Sequence, residues 1–134
     1  MATRRTFIAT TVAAITGISS LSSFASRSKK SKPMLTHHVF FWLKDPASIA
    51  DRDKLIKGLK TLKKIESIKQ IYIGVPADTE KREVVDTSYS VSELMFFDDA
   101  AGQKIYQDHP IHKKFVEDCS MLWEKVIVYD TLNI

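Results

Sequence analysis

Cysteine is almost absent from this 134-residue chain: Cys119 stands alone, so no intramolecular disulfide can form and packing must hold the fold. Its place in an amphipathic stretch predicts a buried packing role rather than a reactive thiol. Acidic residues are missing from the first 33 positions. No run reaches the roughly 20 apolar residues of a membrane span; the apolar, uncharged stretch from Phe7 to Ile18 is too short. Internal repeats and low-complexity domains are also lacking.

The charge asymmetry explains the basic balance. The chain carries +4, but six of its 20 basic residues (Arg4, Arg5, Arg27, Lys29, Lys30, Lys32) and none of its 16 acidic ones precede Met34. That leaves 14 basic against 16 acidic residues from Met34 onward, a net charge of −2. The basic excess therefore belongs to the front of the chain and gives no argument for nucleic acid. Thr3-Arg4-Arg5-Thr6-Phe7-Ile8 resembles a twin-arginine export signal, and Ser23-Phe24-Ala25 offers a signal-peptidase site. The expected organisation is a signal peptide over residues 1–25, a linker over 26–33 and one domain over 34–132, exported to the periplasm with no stable membrane span after cleavage.

About 100 residues remain for that domain, enough for one core but thin for a monomer with a deep cavity. Leu35, His37, Val39, Phe41 and Leu43 alternate with Thr36, His38, Phe40, Trp42 and Lys44, which predicts a strand with apolar groups on both faces. Asp45-Pro46 ends it. Ser48 and Asp51 mark a helix entry, and Leu55, Ile56, Leu59, Leu62 and Ile65 repeat at helical spacing. A second strand holds Ile71, Ile73 and Val75 and stops at Pro76; the polar stretch from Ala77 to Ser88 reads as a surface loop. Tyr89 to Phe97 predicts a third strand, with Asp98 capping a helix to about Asp108. The helix restarts at Pro110 and runs to about Met121, and Lys125 to Leu132 is the last strand.

This order is the split βαβ pattern of ferredoxin-like α+β folds, a four-stranded antiparallel sheet with helices on one face. The other face needs a cover. A second copy of the chain is the economical source, and a homodimer paired through its sheets is expected, with Phe40 or Phe41 at the interface according to register.

The densest chemistry lies in Tyr106-Gln107-Asp108-His109-Pro110-Ile111-His112. On one continuous helix Tyr106 and His112 would stand about 240° apart. Pro110 disfavours helix for His109 and pre-sets the first turn of a new helix, so Tyr106 can end one segment and His112 begin the next. Imidazole exchanges protons near neutral pH, which makes His112 a candidate base; the plainer alternative is a polar helix joint.

His37 near the start of a strand ending Leu43-Lys44-Asp45, the Leu55-Leu59-Leu62 repeat, Phe96-Phe97-Asp98, Tyr106 before His109-Pro110-Ile111-His112, and the closing Trp123-Glu124-Lys125 to Asp130 segment resemble the stress-responsive dimeric α/β-barrel (Dabb) family. The resemblance spans about Met34 to Thr131 and implies a ferredoxin-like protomer, a homodimer whose sheets close into a barrel-like core, and a small cavity between sheet and helices. Most members have no established biochemical role. One branch, a plant polyketide cyclase, performs a metal-free aldol condensation, and its catalytic tyrosine and histidine match Tyr106 and His112 by motif position. That implies His112 as base and Tyr106 as holder of the enolate oxygen.

Two classes of function follow. The first is binding of a small hydrophobic ligand in an apolar cavity lined by Phe41, Leu94, Phe96, Tyr106 and His112, with His37 and His109 as further ligand contacts. The second is a cofactor-independent cyclase or lyase built on the Tyr106–His112 pair. His37 either orients His112 or is a strand histidine bonded to backbone. A metal centre on His37, His109 and His112 lacks a firm carboxylate or thiolate to complete it, so no metal or cofactor is expected. Lysines 54, 57, 60 and 64 fall opposite the leucines as a solvated helix face, which argues against nucleic acid.

Overall fold

The computed structural model describes residues 34–134; the export signal and linker expected over residues 1–33 lie outside the described residues. Strands β1 (Leu35–Leu43), β2 (Gln70–Gly74), β3 (Val91–Phe97) and β4 (Trp123–Leu132) form one antiparallel sheet in the order β2-β3-β1-β4. Helices α1 (Ile49–Thr61), α2 (Ala100–Asp108) and α3 (Pro110–Cys119) complete the ferredoxin-like βαββαβ arrangement, with α2 and α3 as two halves of the second helical segment. Among the described residues no helix is long and apolar enough to cross a membrane.

Period-two burial sorts the sheet into two faces. Leu35, His37, Val39, Phe41 and Leu43 on β1, and Val91, Glu93, Met95 and Phe97 on β3, are buried toward the helices. They meet Leu55, Leu59, Leu62 and Ile65 from α1 and its trailing turn, together with Tyr106, Phe115, Cys119 and Leu122. Thr36, His38, Phe40, Trp42, Ser92, Leu94 and Phe96 are half-buried on the other face. Phe40 thus belongs to the open face, where its ring lies 4.2 Å from His38, 4.9 Å from Tyr89 and 6.1 Å from Tyr129, centroid to centroid.

Element boundaries follow local chemistry, with several corrections to the sequence reading. Ser48 accepts a hydrogen bond from the Asp51 N–H and starts α1 as expected. The cap of α2 is Asp99, not Asp98: Asp99 Oδ1 accepts from Gly102 N–H at 2.9 Å, while Asp98 forms a surface ion pair with Lys69 at 3.0 Å. Val75 falls beyond the end of β2, Tyr89 precedes β3, and β4 begins two residues before Lys125, at Trp123. Helix α3 gives way to a 3-10 turn, Ser120–Leu122, before Met121 is reached.

A register shift between Trp42 and Leu43 pairs Lys125 with Trp42 but Trp123 with Leu43, leaving Glu124 as the extra residue of a bulge. Without it, strict alternation would put Trp123 and Val126 on opposite faces. With it, both reach the helix side.

A pocket beneath the helix joint

Sequence and sheet register together place the polar groups. Residues 37, 39 and 41 of β1 pair with Asp130, Val128 and Val126 of β4, and Val39 also pairs with Glu93 of β3. The helices lie over β1, β2 and β3 and leave the β4 edge uncovered, with Val126 and Val128 exposed. A pocket of about 180 Å³ opens there, lined by His37, Val39, Phe41, Glu93, Tyr106, Gln107, His112, Phe115, Val116, Trp123, Val126 and Val128.

The helix joint delivers two of these groups. His109 is extended (φ −67°, ψ 138°) between α2 and α3, as a residue before proline should be, and Pro110 is the first residue of α3. The turn folds the His112 ring against the Tyr106 ring, 4.5 Å between centroids. His112 Nδ1 lies 3.1 Å from the Gln107 carbonyl oxygen. A carbonyl only accepts, so Nδ1 carries the proton and the Nε2 lone pair of the neutral ring is left unspent. Burial lowers the His112 pKa below the ordinary histidine value; the hydrogen bond to Gln107 opposes this and the nearby His37 reinforces it.

Tyr106 is 2% exposed and packs at a tilt against Phe97 at 5.4 Å and edge-on to His37 at 5.7 Å, between centroids. Its pKa is raised well above that of a free phenol, first by burial and then by the charge Glu93 would carry, so the hydroxyl keeps its proton at any physiological pH. His37 is 5% exposed, and its Nδ1 donates to Asp130 Oδ1 at 2.5 Å. That bond crosses from β1 to β4 within one register pair and fixes the ring at the pocket wall.

Of the candidate residues, the structure brings His37, Phe41, Tyr106 and His112 together in this pocket and separates the other three. Leu94 and Phe96 are corrections: they alternate with Glu93, Met95 and Phe97 and fall on the open face, where Phe96 packs near Tyr72. His109 is a third: its Nδ1 accepts from Ile111 N–H at 3.1 Å, capping α3, and it does not line the pocket. Among the described residues no three His, Cys, Asp or Glu side chains cluster as a metal set.

Two polar residues were missed. Asp130 stands 93 positions from its partner His37, and only strand pairing joins them. Glu93 is 1% exposed on the helix face of β3, and its Oε1 has no hydrogen-bond partner among the described residues. Its signal in the sequence was the charged residue breaking an apolar alternation from Val91 to Phe97.

Fold and pocket together define a ferredoxin-like α+β protein with a cavity between sheet and helices. The stress responsive A/B barrel domain matches residues 35–133, and the chain belongs to that family. A Dabb-family protein of ferredoxin-like fold from Mesorhizobium loti is 25% identical, with 76% of this chain and 98% of that one covered at a TM-score of 0.62. A hydroxynitrile lyase from Passiflora edulis is 19% identical, covering 77% and 95% at 0.64. A dimeric ferredoxin-like protein from Thermobifida fusca is 18% identical, covering 75% and 92% at 0.62. Among curated proteins none matches the sequence.

Proposed function

We propose that the protein is an exported homodimer that binds a small, largely apolar, oxygen-bearing molecule in the pocket beneath the α2–α3 joint. The observation that carries the binding role is the tilted Tyr106–His112 ring pair at 4.5 Å, presented to a cavity whose apolar walls are Val39, Phe41, Phe115, Val116, Trp123, Val126 and Val128. Apolar walls supply the burial and a few polar groups the orientation, which is the usual division of labour in a small-molecule site. Dimer formation is supported by the aromatic cluster on the open sheet face, half-buried at His38, Phe40 and Tyr89 and exposed at Tyr129, and by the dimeric Thermobifida protein of the same fold. Export rests on the Arg4-Arg5 leader.

A second reading, a metal-independent cyclase or lyase, is favoured by the His112 tautomer. Its Nε2 is free to take a proton while the Tyr106 hydroxyl remains able to give or hold one. In that reaction His112 would remove a proton next to a carbonyl, and Tyr106 would hydrogen-bond the oxygen on which negative charge develops. The Passiflora hydroxynitrile lyase has this fold and lends the class a precedent without assigning the reaction.

Native mass spectrometry with small aromatic ketones, alcohols and hydrocarbons tests the binding role. The unmodified protein should retain one molecule per protomer, and Val128→Trp, which fills the pocket mouth from an exposed strand position, should abolish it. Equal retention by both proteins would place the ligand elsewhere and defeat the proposal.

A further inference from the structure

Glu93 takes no part in the Tyr106–His112 chemistry, yet it occupies the centre of the sheet. It pairs with Val39 of β1 on one side and Ile73 of β2 on the other, so its backbone is fixed by both neighbours. Its side chain is directed to the helix face, is 1% exposed, and lines the pocket, and among the described residues its Oε1 has no partner. Buried polar atoms in folded proteins are nearly always hydrogen-bonded, and one left without a protein partner at a cavity wall is free to bond to a water or ligand in the cavity.

The groups facing the pocket decide what that partner is. Among the described residues no lysine or arginine lines it. The titratable groups are His37 on β1, bonded to Asp130 on β4, Tyr106 on α2 and His112 on α3. None supplies a fixed positive charge, and burial pushes the Glu93 carboxyl up to about 8. At neutral pH the group is therefore a carboxylic acid, with one O–H to donate. His112 is pushed the other way, toward its uncharged form, and Tyr106 keeps its proton. The cavity penalises charge of either sign.

We infer that Glu93 is a ligand-recognition residue, which donates a hydrogen bond to a carbonyl oxygen and so selects uncharged ketones, aldehydes or esters over carboxylates and amines. This deepens the binding role proposed above and rests on it. A carboxylate ligand would lose its hydration without meeting a cation. An ammonium would gain a counter-ion only by ionising Glu93, which its burial opposes. An uncharged carbonyl satisfies the orphaned acid without importing a charge.

The test uses the full chain and four phenyl probes of similar size: acetophenone, α-methylstyrene, benzoate and benzylamine. Acetophenone should bind about tenfold or more tighter than α-methylstyrene, which replaces the carbonyl oxygen with a methylene, and tighter than either ion. Glu93→Leu should bring the two neutral probes to within about twofold of each other, while Glu93→Gln, whose amide N–H still donates, should keep the preference. Infrared spectroscopy supplies a readout independent of these affinities. The unmodified protein should show a protonated-acid carbonyl stretch at neutral pH that Glu93→Gln removes and acetophenone shifts to lower frequency. A ketone preference that survives Glu93→Leu, a carboxylate at pH 6, or tighter binding of benzoate or benzylamine would overturn the role of Glu93 while the pocket reading stands. A protein that takes up none of the four probes would defeat the pocket reading and this one together.

Discussion

The His112 ring packs 4.5 Å from the Tyr106 ring although the two residues belong to different helices. Pro110 creates this pairing by ending one helix and beginning the next. In the acid–base reading His112→Ala should lower turnover of a carbonyl substrate by roughly 10²- to 10⁴-fold, and Tyr106→Phe should weaken the oxygen's hydrogen bond without removing the base. Paired melting and ligand-binding measurements decide the case. A destabilised His112→Ala that binds and turns over normally would make the histidine a joint residue only.

Phe40 lies on the open face among His38, Tyr89 and Tyr129. If two sheets meet there, Phe40→Asp places an unpaired carboxylate in an apolar interface, and light scattering should report monomer or unfolded chain in place of dimer. An unmodified protein that runs as a stable monomer would refute the pairing. The open face would then need another partner.

In the twin-arginine reading of the leader, export should depend on the arginine pair and not on positive charge alone. Changing both Arg4 and Arg5 to Lys keeps the charge and should leave the chain in the cytoplasm, as read by cell fractionation. Processed protein in the periplasm after that change would point to ordinary secretion.

The fold was legible because alternation and helical spacing are strong signals, and the Pro110 joint was legible because proline acts locally. The pocket walls were less so. Leu94 and Phe96 look like pocket residues by hydrophobicity, but period two puts them on the face opposite Glu93, and composition cannot tell which face of a two-faced strand meets the helices. Trp123 reached the pocket through a bulge that breaks alternation, and Asp130 through a register pair; both are properties of strand pairing. Asp98 and Asp99 are equivalent caps on paper, and only the Gly102 N–H separates them.

Glu93 also makes a prediction about stability. Its ordinary value is 4.5, and burial raises it to about 8 in the folded protein. Between those values the unfolded chain has released the proton and the folded one retains it, so stability must fall as pH rises from about 4.5 to about 8. Each tenfold difference in proton affinity between the two states is worth about 1.4 kcal/mol, which sets a ceiling of a few kcal/mol. His112, lowered by burial, acts in the opposite sense: stability falls as pH drops below the ordinary histidine value. Glu93→Gln isolates the first effect. Its melting temperature relative to the unmodified protein should climb by several degrees between about pH 5 and about pH 8. A pH-independent difference would mean that Glu93 titrates normally.

The packing of α1 on α3 turns on Gly58 and Cys119. A β-carbon at Gly58 would come within 2.6 Å of Cys119 Sγ and 3.1 Å of Phe115 Cδ2, so the absence of a side chain there lets the two helices approach. Both neighbours are buried core residues with little room to yield. Alanine gains up to about 1 kcal/mol of helix propensity over glycine, against about 1–3 kcal/mol for overpacking a filled core. Gly58→Ala should therefore destabilise, by about 1 kcal/mol. Cys119→Ala alone leaves a small cavity and also destabilises. Combined, the two should cost less than the sum of the singles, because removing Sγ clears the space that the new methyl needs. Denaturant melts of the four proteins measure that coupling. Strict additivity would show that the helices had moved apart, and that the close approach is not what holds α1 against α3.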